Sequence, residues 1–285
     1  EQAERVLPRT TCALIKSFFG FGLEKVCPYL ESCDLVVGEN TCDGKKKSYE
    51  SFQGLIPGEF LGLDMPNTKS PEGRAVLAIA YRELAAVLDQ VSGETITVDS
   101  LRAGIATVDE KRRAMHRLAK LRRAEPAPIS GMDALLINQV YFYDDPQRFT
   151  ASVNKLCDEL EQRIRRGEGA VPAGAPRIAV AGCPMAVPNW KVASVVEGAG
   201  AVIVGEESCI GERGTQFLVE PEGESVEALI ESLVDRHFQI DCAVFTPNPD
   251  REKHVIEMAR RYRADGVIHY AIQFCTPYQI EAHGI

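Results

Sequence analysis

Leu35-Val36-Val37-Gly38-Glu39-Asn40-Thr41-Cys42-Asp43-Gly44-Lys45-Lys46-Lys47 is the stretch from which the fold is read. Leu35, Val36 and Val37 make a short apolar run of the kind that forms a buried strand, and Gly38 with the polar residues behind it ends that strand. Asp43 is expected to cap a helix over 44–50, which places Cys42 in a tight strand-to-helix turn. Turns at the carboxyl ends of strands are where open α/β sheets bind ligands. Lys45, Lys46 and Lys47 break a local rule, because a helix N-terminus already carries partial positive charge. Two readings stand: a solvated lysine cluster, or a positive site that stabilises a thiolate and any anionic centre bound to it.

The stretch recurs. Val37-Gly38-Glu39-Asn40-Thr41-Cys42-Asp43-Gly44 aligns without gaps on Val204-Gly205-Glu206-Glu207-Ser208-Cys209-Ile210-Gly211, and Cys27-Pro28 and Cys183-Pro184 precede the two copies. Strand, Glu, Cys and Gly in one register indicate two similar domains, each presenting a strand-end cysteine to a shared cleft. Glu39 and Glu206 are candidate proton-transfer residues, with capping of a helix or turn as the alternative. Around the second copy, strands are expected near 177–181, 201–204, 243–246 and 266–271, and helices near 189–198, 225–238 and 250–264. That alternation gives a parallel sheet. Cys183, Cys209 and Cys275 fall just past strand ends, whereas Cys242 opens its strand.

The Gly/Pro-rich run 167–176 reads as a linker. It divides the chain into an N-terminal α/β domain (1–71), a helical region (72–166) and a C-terminal Rossmann-like domain (177–285). In the helical region Val76, Leu77, Ala80, Leu84, Val87 and Leu88 recur at helical spacing and are expected in the core, as is Cys157. Seven Lys/Arg between Lys111 and Arg123 interleave with Ala114, Met115, Leu118 and Leu121, a basic amphipathic helix whose charged face is expected to be solvated. Nearer the start, Thr10 and Thr11 suit a helix start, Gly20 and Gly22 its end, and Pro28 holds Cys27 extended.

A balance of 41 acidic to 32 basic residues, net charge −9, argues against a nucleic-acid or anionic-membrane partner. No apolar run approaches the ~20 residues of a membrane helix, and no charged-then-apolar leader opens the sequence, so cytoplasm is the expected compartment. Nine cysteines at scattered spacing, without a C-x-x-C, are neither a disulfide framework nor a zinc knuckle nor a ferredoxin run. Any metal site must be assembled by the fold from distant positions. Cleft-facing thiolates in a reducing compartment suit iron–sulfur chemistry or zinc.

Leu7-Pro8-Arg9, Cys12, Ile15-Lys16-Ser17, Cys27-Pro28-Tyr29, the run Asp34 to Lys47, Gly182-Cys183-Pro184, Glu207-Ser208-Cys209-Ile210-Gly211 and Gln273-Phe274-Cys275 with Tyr278 and Glu281 resemble the 2-hydroxyacyl-CoA dehydratase D-component superfamily. Within it they are most similar to the double-cubane-cluster branch, anaerobic ATP-dependent reductases. The resemblance implies two Rossmann-like (flavodoxin-like) parallel-sheet domains with a helical connecting region, a homodimer, and a separate ATP-hydrolysing iron–sulfur activator that delivers electrons for a small-molecule substrate. It implies an 8Fe-9S double-cubane cluster on six cysteines. Cys12, Cys42 and Cys275 match the positions shared with the dehydratases; Cys27, Cys209 and Cys242 match the extra positions of the double-cubane branch. Lys45, Lys46 and Lys47 would then favour the reduced, more anionic cluster. Cys183 matches a family cysteine of unassigned role, and Cys33 and Cys157 are incidental.

Family members carry a further βα segment upstream and another strand and helix downstream, so the resemblance implies a chain truncated at both ends. Thr276-Pro277 after Cys275 departs from the His-Thr of the double-cubane branch and is closer to the dehydratases. A 2-hydroxyacyl-CoA dehydratase or benzoyl-CoA-reductase-like subunit with one 4Fe-4S cluster is therefore the alternative, and a non-catalytic zinc-binding or scaffold protein is the rival from another class.

Overall fold

The computed structural model describes residues 2–285 and builds two small parallel sheets among many helices. Near the N-terminus α1 (Ala13–Glu24) and α2 (Pro28–Ser32) lead into β1 (Leu35–Glu39), α3 (Asp43–Phe52) and β2 (Glu59–Leu63). β1 and β2 pair in parallel, Leu35 opposite Glu59 and Glu39 opposite Leu63, so β1–α3–β2 is a βαβ unit. Phe19 and Phe52 form its core with Ala3, and Phe18, Val36 and Phe60 pack against them. Two local expectations need correction. Cys42, not Asp43, is the cap residue of α3, and Asp43 falls in the first turn, where its charge suits the helix dipole. α1 does not stop at Gly20 or Gly22; it runs to Glu24 and ends with Lys25 left-handed at φ 49°. Gly22 instead gives Phe52 room, since a β-carbon there would lie 2.9 Å from its ring.

Four helices follow: α4 (Pro71–Ser92), α5 (Val98–Leu121), α6 (Gly131–Val140) and α7 (Pro146–Arg165). Each starts on a side-chain cap, Ser70, Thr97, Ser130 and Asp145 in turn, which satisfies amide groups that a helix leaves open. α5 packs on α7 through Met115, Leu118, Phe149, Val153 and Leu160, with Cys157 fully buried among them as expected. The basic face of α5 is only in part the solvated face expected from its pattern: Arg113 and Lys120 are exposed, but others turn inward. Lys111 is buried and lies 4.1 Å from the Tyr141 ring centre. Arg117 bonds Asp158 and Glu161 at 2.6 and 2.7 Å. Arg122 is buried and donates to the Ile203 carbonyl at 2.9 Å. Acceptors on other elements turn an apparent surface stripe into internal fastenings.

The second sheet holds β3 (Arg177–Gly182), β4 (Val202–Glu207) and β5 (Gly266–Tyr270), all parallel, in the order β4-β3-β5. α8 (Lys191–Gly198), α9 (Glu212–Thr215), α10 (Val226–Phe238), α11 (Asp250–Arg261) and α12 (Thr276–Glu281) complete the chain. Both sheet faces are covered, as near-continuous apolar strands require. Ala179, Val202 and Val204 meet Met258 and Tyr262 on the α11 side, while Val180 and Ile203 meet Leu135 and Ala193 of α6 and α8. The strand expected at 243–246 is a turn instead. Phe245 N–H bonds back to Cys242 O at 3.1 Å and Thr246 N–H crosses to Asn67 O at 2.8 Å. Pro247 and Pro249 leave the run few donors for a sheet ladder.

The internal repeat has a packing counterpart. Gly38 of β1 and Gly205 of β4 each seat a tyrosine: a β-carbon would lie 2.8 Å from the Tyr49 ring at Gly38 and 2.7 Å from the Tyr262 ring at Gly205. The copies diverge after the cysteine, where α3 spans 10 residues and α9 only 4. Gly205→Ala should cost about 1–3 kcal/mol by overpacking. Gly62→Ala, at an exposed site with nothing within 4 Å of the added carbon, should stay within about 0.5 kcal/mol. Urea midpoints of the two variants check this contrast.

Candidate metal centre

The carboxyl ends of the strands gather four of the nine cysteines. Cys183 follows β3 directly, Cys209 lies two residues beyond β4, Cys275 caps α12 after β5, and Cys42 caps α3 after β1. Cys12 caps α1 and Cys27 caps α2. Four thiols thus stand where a helix presents open amide groups, a setting that favours anionic sulfur.

The sulfurs come together in two groups. Cys275 hydrogen-bonds to both Cys12 and Cys183, and Cys183 Sγ also accepts from Ile272 N–H at 3.4 Å. The shared hydrogen bond with Cys275, followed by burial, holds the Cys12 thiol far above the usual range. Cys275 is drawn down most by Cys12, but Cys183 and burial together push it up to about 11. Cys183 is lowered by its bond to Cys275 in spite of burial. Cys209 and Cys242 form the second group, one thiol donating to the other. Their hydrogen bond pushes Cys209 well up and, with the Arg213 charge, brings Cys242 down to about 5 against the cost of burial. The two thiols therefore titrate as a pair rather than independently. Cys209 remains open to solvent at its rim although side chains crowd its sulfur.

A buried ionic network backs the second group. Glu207 takes Arg213 Nε and Nη2 at 2.6 and 2.8 Å and also pairs with Arg251. Arg251 donates to Glu281 at 2.9 Å. Arg213 reaches the sulfurs of Cys209 and Cys242 at 3.5 and 3.9 Å, together with the Tyr278 hydroxyl. The Tyr278 hydroxyl lies 3.8 Å from the Cys242 sulfur. α12 links the two groups, with Cys275 at its cap and Tyr278 in its first turn.

Of the expected metal ligands, Cys12 with Cys275 and Cys209 with Cys242 are thus brought together, and Cys183 joins the first pair. Cys27 and Cys42 have no hydrogen-bonded cysteine partner among the described residues, and no three His, Cys, Asp or Glu side chains there form a single-ion site. Glu39 pairs with Lys45, and Lys47 with Glu50 at 2.8 Å, so two of the three lysines are already engaged. Glu206 is buried on the opposite face of β4 from Glu207 and accepts from Ser208 at 2.7 Å; burial raises its carboxyl. Arg213 and Arg251 are site residues that the sequence pattern does not single out. Arg213 sits in a four-residue helix that starts three residues after Cys209, too short to show a periodic pattern.

A family model described as 2-hydroxyglutaryl-CoA dehydratase, D-component, matches residues 1–285. The chain belongs to this family. It is 34% identical over 287 residues to the protein named "Putative dehydratase subunit YjiM" of Escherichia coli (strain K12), covering 100% of this chain and 73% of that one. It is 24% identical over 248 residues to the (R)-phenyllactyl-CoA dehydratase beta subunit of Clostridium sporogenes, 85% of this chain and 63% of the relative. A benzoyl-CoA reductase subunit of Thauera aromatica is 23% identical over 272 residues, 95% and 68% of the two chains. The D-component chain therefore stands among enzymes, dehydratases and reductases by name. Among the described residues no helix is long and apolar enough to cross a membrane.

The thiol pair gives a direct pH test in metal-free protein. An ordinary thiol gains thiolate as pH rises toward about 8.5, whereas Cys242, lowered to about 5, is already a thiolate at neutral pH. Iodoacetamide alkylation of the Cys209–Cys242 pair should therefore set in at lower pH than that of Cys157, whose thiol burial pushes up to about 11; peptide mapping reads both.

Proposed function

We propose that this chain is the cluster-bearing subunit of a low-potential iron–sulfur reductase. An 8Fe-9S double cubane would be held by Cys12, Cys27, Cys42, Cys209, Cys242 and Cys275 in the cleft between two Rossmann-like domains. Support comes from one observation above all: Cys209 and Cys242, extra to the three cysteines shared with the dehydratases, converge on one guanidinium nitrogen, Arg213 Nη1, at 3.5 and 3.9 Å. The donor set suits iron, being all sulfur, and at Cys209 and Cys242 it is met by an N–H group of Arg213 and by the Tyr278 hydroxyl. When bound, such a cluster supplies single electrons at low potential.

The chain's own residues have separable tasks in this reading. Helix N-termini at Cys12 and Cys42 favour anionic sulfur. Glu206, whose carboxyl burial raises, is a candidate proton-transfer residue on the strand face away from the sulfurs, while Glu39 keeps Lys45 in place at the turn. Lys45, Lys46 and Lys47 contribute positive field to the more anionic, reduced state, weakened by the pairing of Lys45 and Lys47. A separate ATP-hydrolysing iron–sulfur activator is the proposed electron donor, a homodimer the proposed assembly and cytoplasm the proposed compartment.

A second reading, a 2-hydroxyacyl-CoA dehydratase subunit with one 4Fe-4S cluster on Cys12, Cys42 and Cys275, is favoured by the printed names of the relatives and by Thr276-Pro277. Iron, sulfide and zinc analysis of one strictly anaerobic preparation separates the cases. The double cubane requires about eight irons per chain, with Cys27→Ala and Cys242→Ala each losing iron; the dehydratase reading requires about four, with both variants unaffected. Colourless protein, with zinc or with no metal, would reject both.

A further inference from the structure

Arg213 is the buried charge whose guanidinium is divided between a carboxylate and two sulfurs. Nε and Nη2 take both oxygens of Glu207 at 2.6 and 2.8 Å, a fork that fixes the plane of the group. Nη1 is thereby turned toward Cys209 Sγ at 3.5 Å and Cys242 Sγ at 3.9 Å. Arg251 also pairs with Glu207 and is itself held by Glu281. Arg213 and Arg251 are each 3% exposed and Glu207 7%, so solvent offers none of them an alternative partner. A charge placed only to stabilise the fold needs the carboxylate alone. Here one nitrogen, Nη1, is left over, and it faces both sulfurs and the Tyr278 hydroxyl.

We propose that Arg213 is a positioning residue for the metal group carried by Cys209 and Cys242: it directs N–H and positive charge at the two sulfurs and raises the reduction potential of that group, and the Glu207–Arg251 pair locks it in that orientation. The inference rests on the cluster reading given above. Hydrogen bonds to cysteine sulfur and nearby positive charge both favour the reduced, more negative state. The Arg213 side chain would bring the centre within reach of its electron donor without touching substrate.

The wild-type chain, Arg213→Gln, Arg213→Lys and Glu207→Gln should be reconstituted anaerobically with iron and sulfide. Iron per chain and a redox titration followed by electron paramagnetic resonance are then measured. Arg213→Gln should retain its iron while its reduction becomes at least tenfold less favourable, about 59 mV lower for one electron. Arg213→Lys keeps the charge without the fork and should recover part of the shift; Glu207→Gln leaves Arg213 free to turn and should move the potential in the same direction by less. Unchanged potentials in the variants that hold iron would overturn the assignment, and Arg213→Lys and Glu207→Gln carry the test where Arg213→Gln does not fold. A wild-type chain that binds no cluster overturns the cluster reading and this inference together. A loaded wild type with unmoved variants overturns this inference alone.

Discussion

One carboxylate shared by two buried arginines organises the carboxyl edge of the larger sheet. Glu207 ends β4, Arg213 comes from α9 and Arg251 from α11, and Glu281 of α12 extends the chain of charges. Isolated in the interior, any one of these ions would be strongly unfavourable; as an alternating set they compensate one another. Breaking a buried pair by removing one partner typically costs about 3–5 kcal/mol, because the remaining charge is stranded. Such a network is weak evidence for stability but strong evidence for position. It ties together the short elements that carry or border Cys209, Cys242 and Cys275, where apolar surface is scarce.

The two sulfur groups differ in what surrounds them. Cys12, Cys183 and Cys275 are served mainly by backbone amides and by one another, whereas Cys209 and Cys242 face a cation and a phenol. Backbone amides survive almost any substitution, so the first group is defined by the path of the chain. The second is defined by side chains and can be altered one atom at a time.

Much of this arrangement is legible in the sequence. β3 and β4 stand out because buried strands carry short apolar runs ended by Gly, β5 because Val267 and Ile268 make such a run although its residues are only partly covered, and Cys157 is legible as core from helical spacing. The segment 243–246 misleads because Ala243-Val244-Phe245-Thr246 has strand composition, while the amide of Thr246 is taken by Asn67, far away in the sequence. Glu206 and Glu207 illustrate a limit of another kind. Successive strand residues face opposite sides, so aligning Glu39 with Glu206 singles out the carboxylate that faces away from the sulfurs. Arg213, Arg251, Lys111 and Arg122 are hidden by the ordinary expectation that charges lie outside. Their acceptors come from distant elements, and only the assembled fold shows that these charges are inside.

The grip on the Cys242 turn comes from the other end of the molecule. Asn67 O receives Thr246 N–H, and Lys69 pairs with Asp241, the residue before Cys242. One member of the second sulfur pair is thus templated by the loop that follows β2, although it is read as part of the C-terminal half. The two halves are not interchangeable modules. Grafting either α/β unit onto another protein would require the segment 67–69 to travel with it, so the two echoing copies behave as mutually dependent parts rather than as independent repeats.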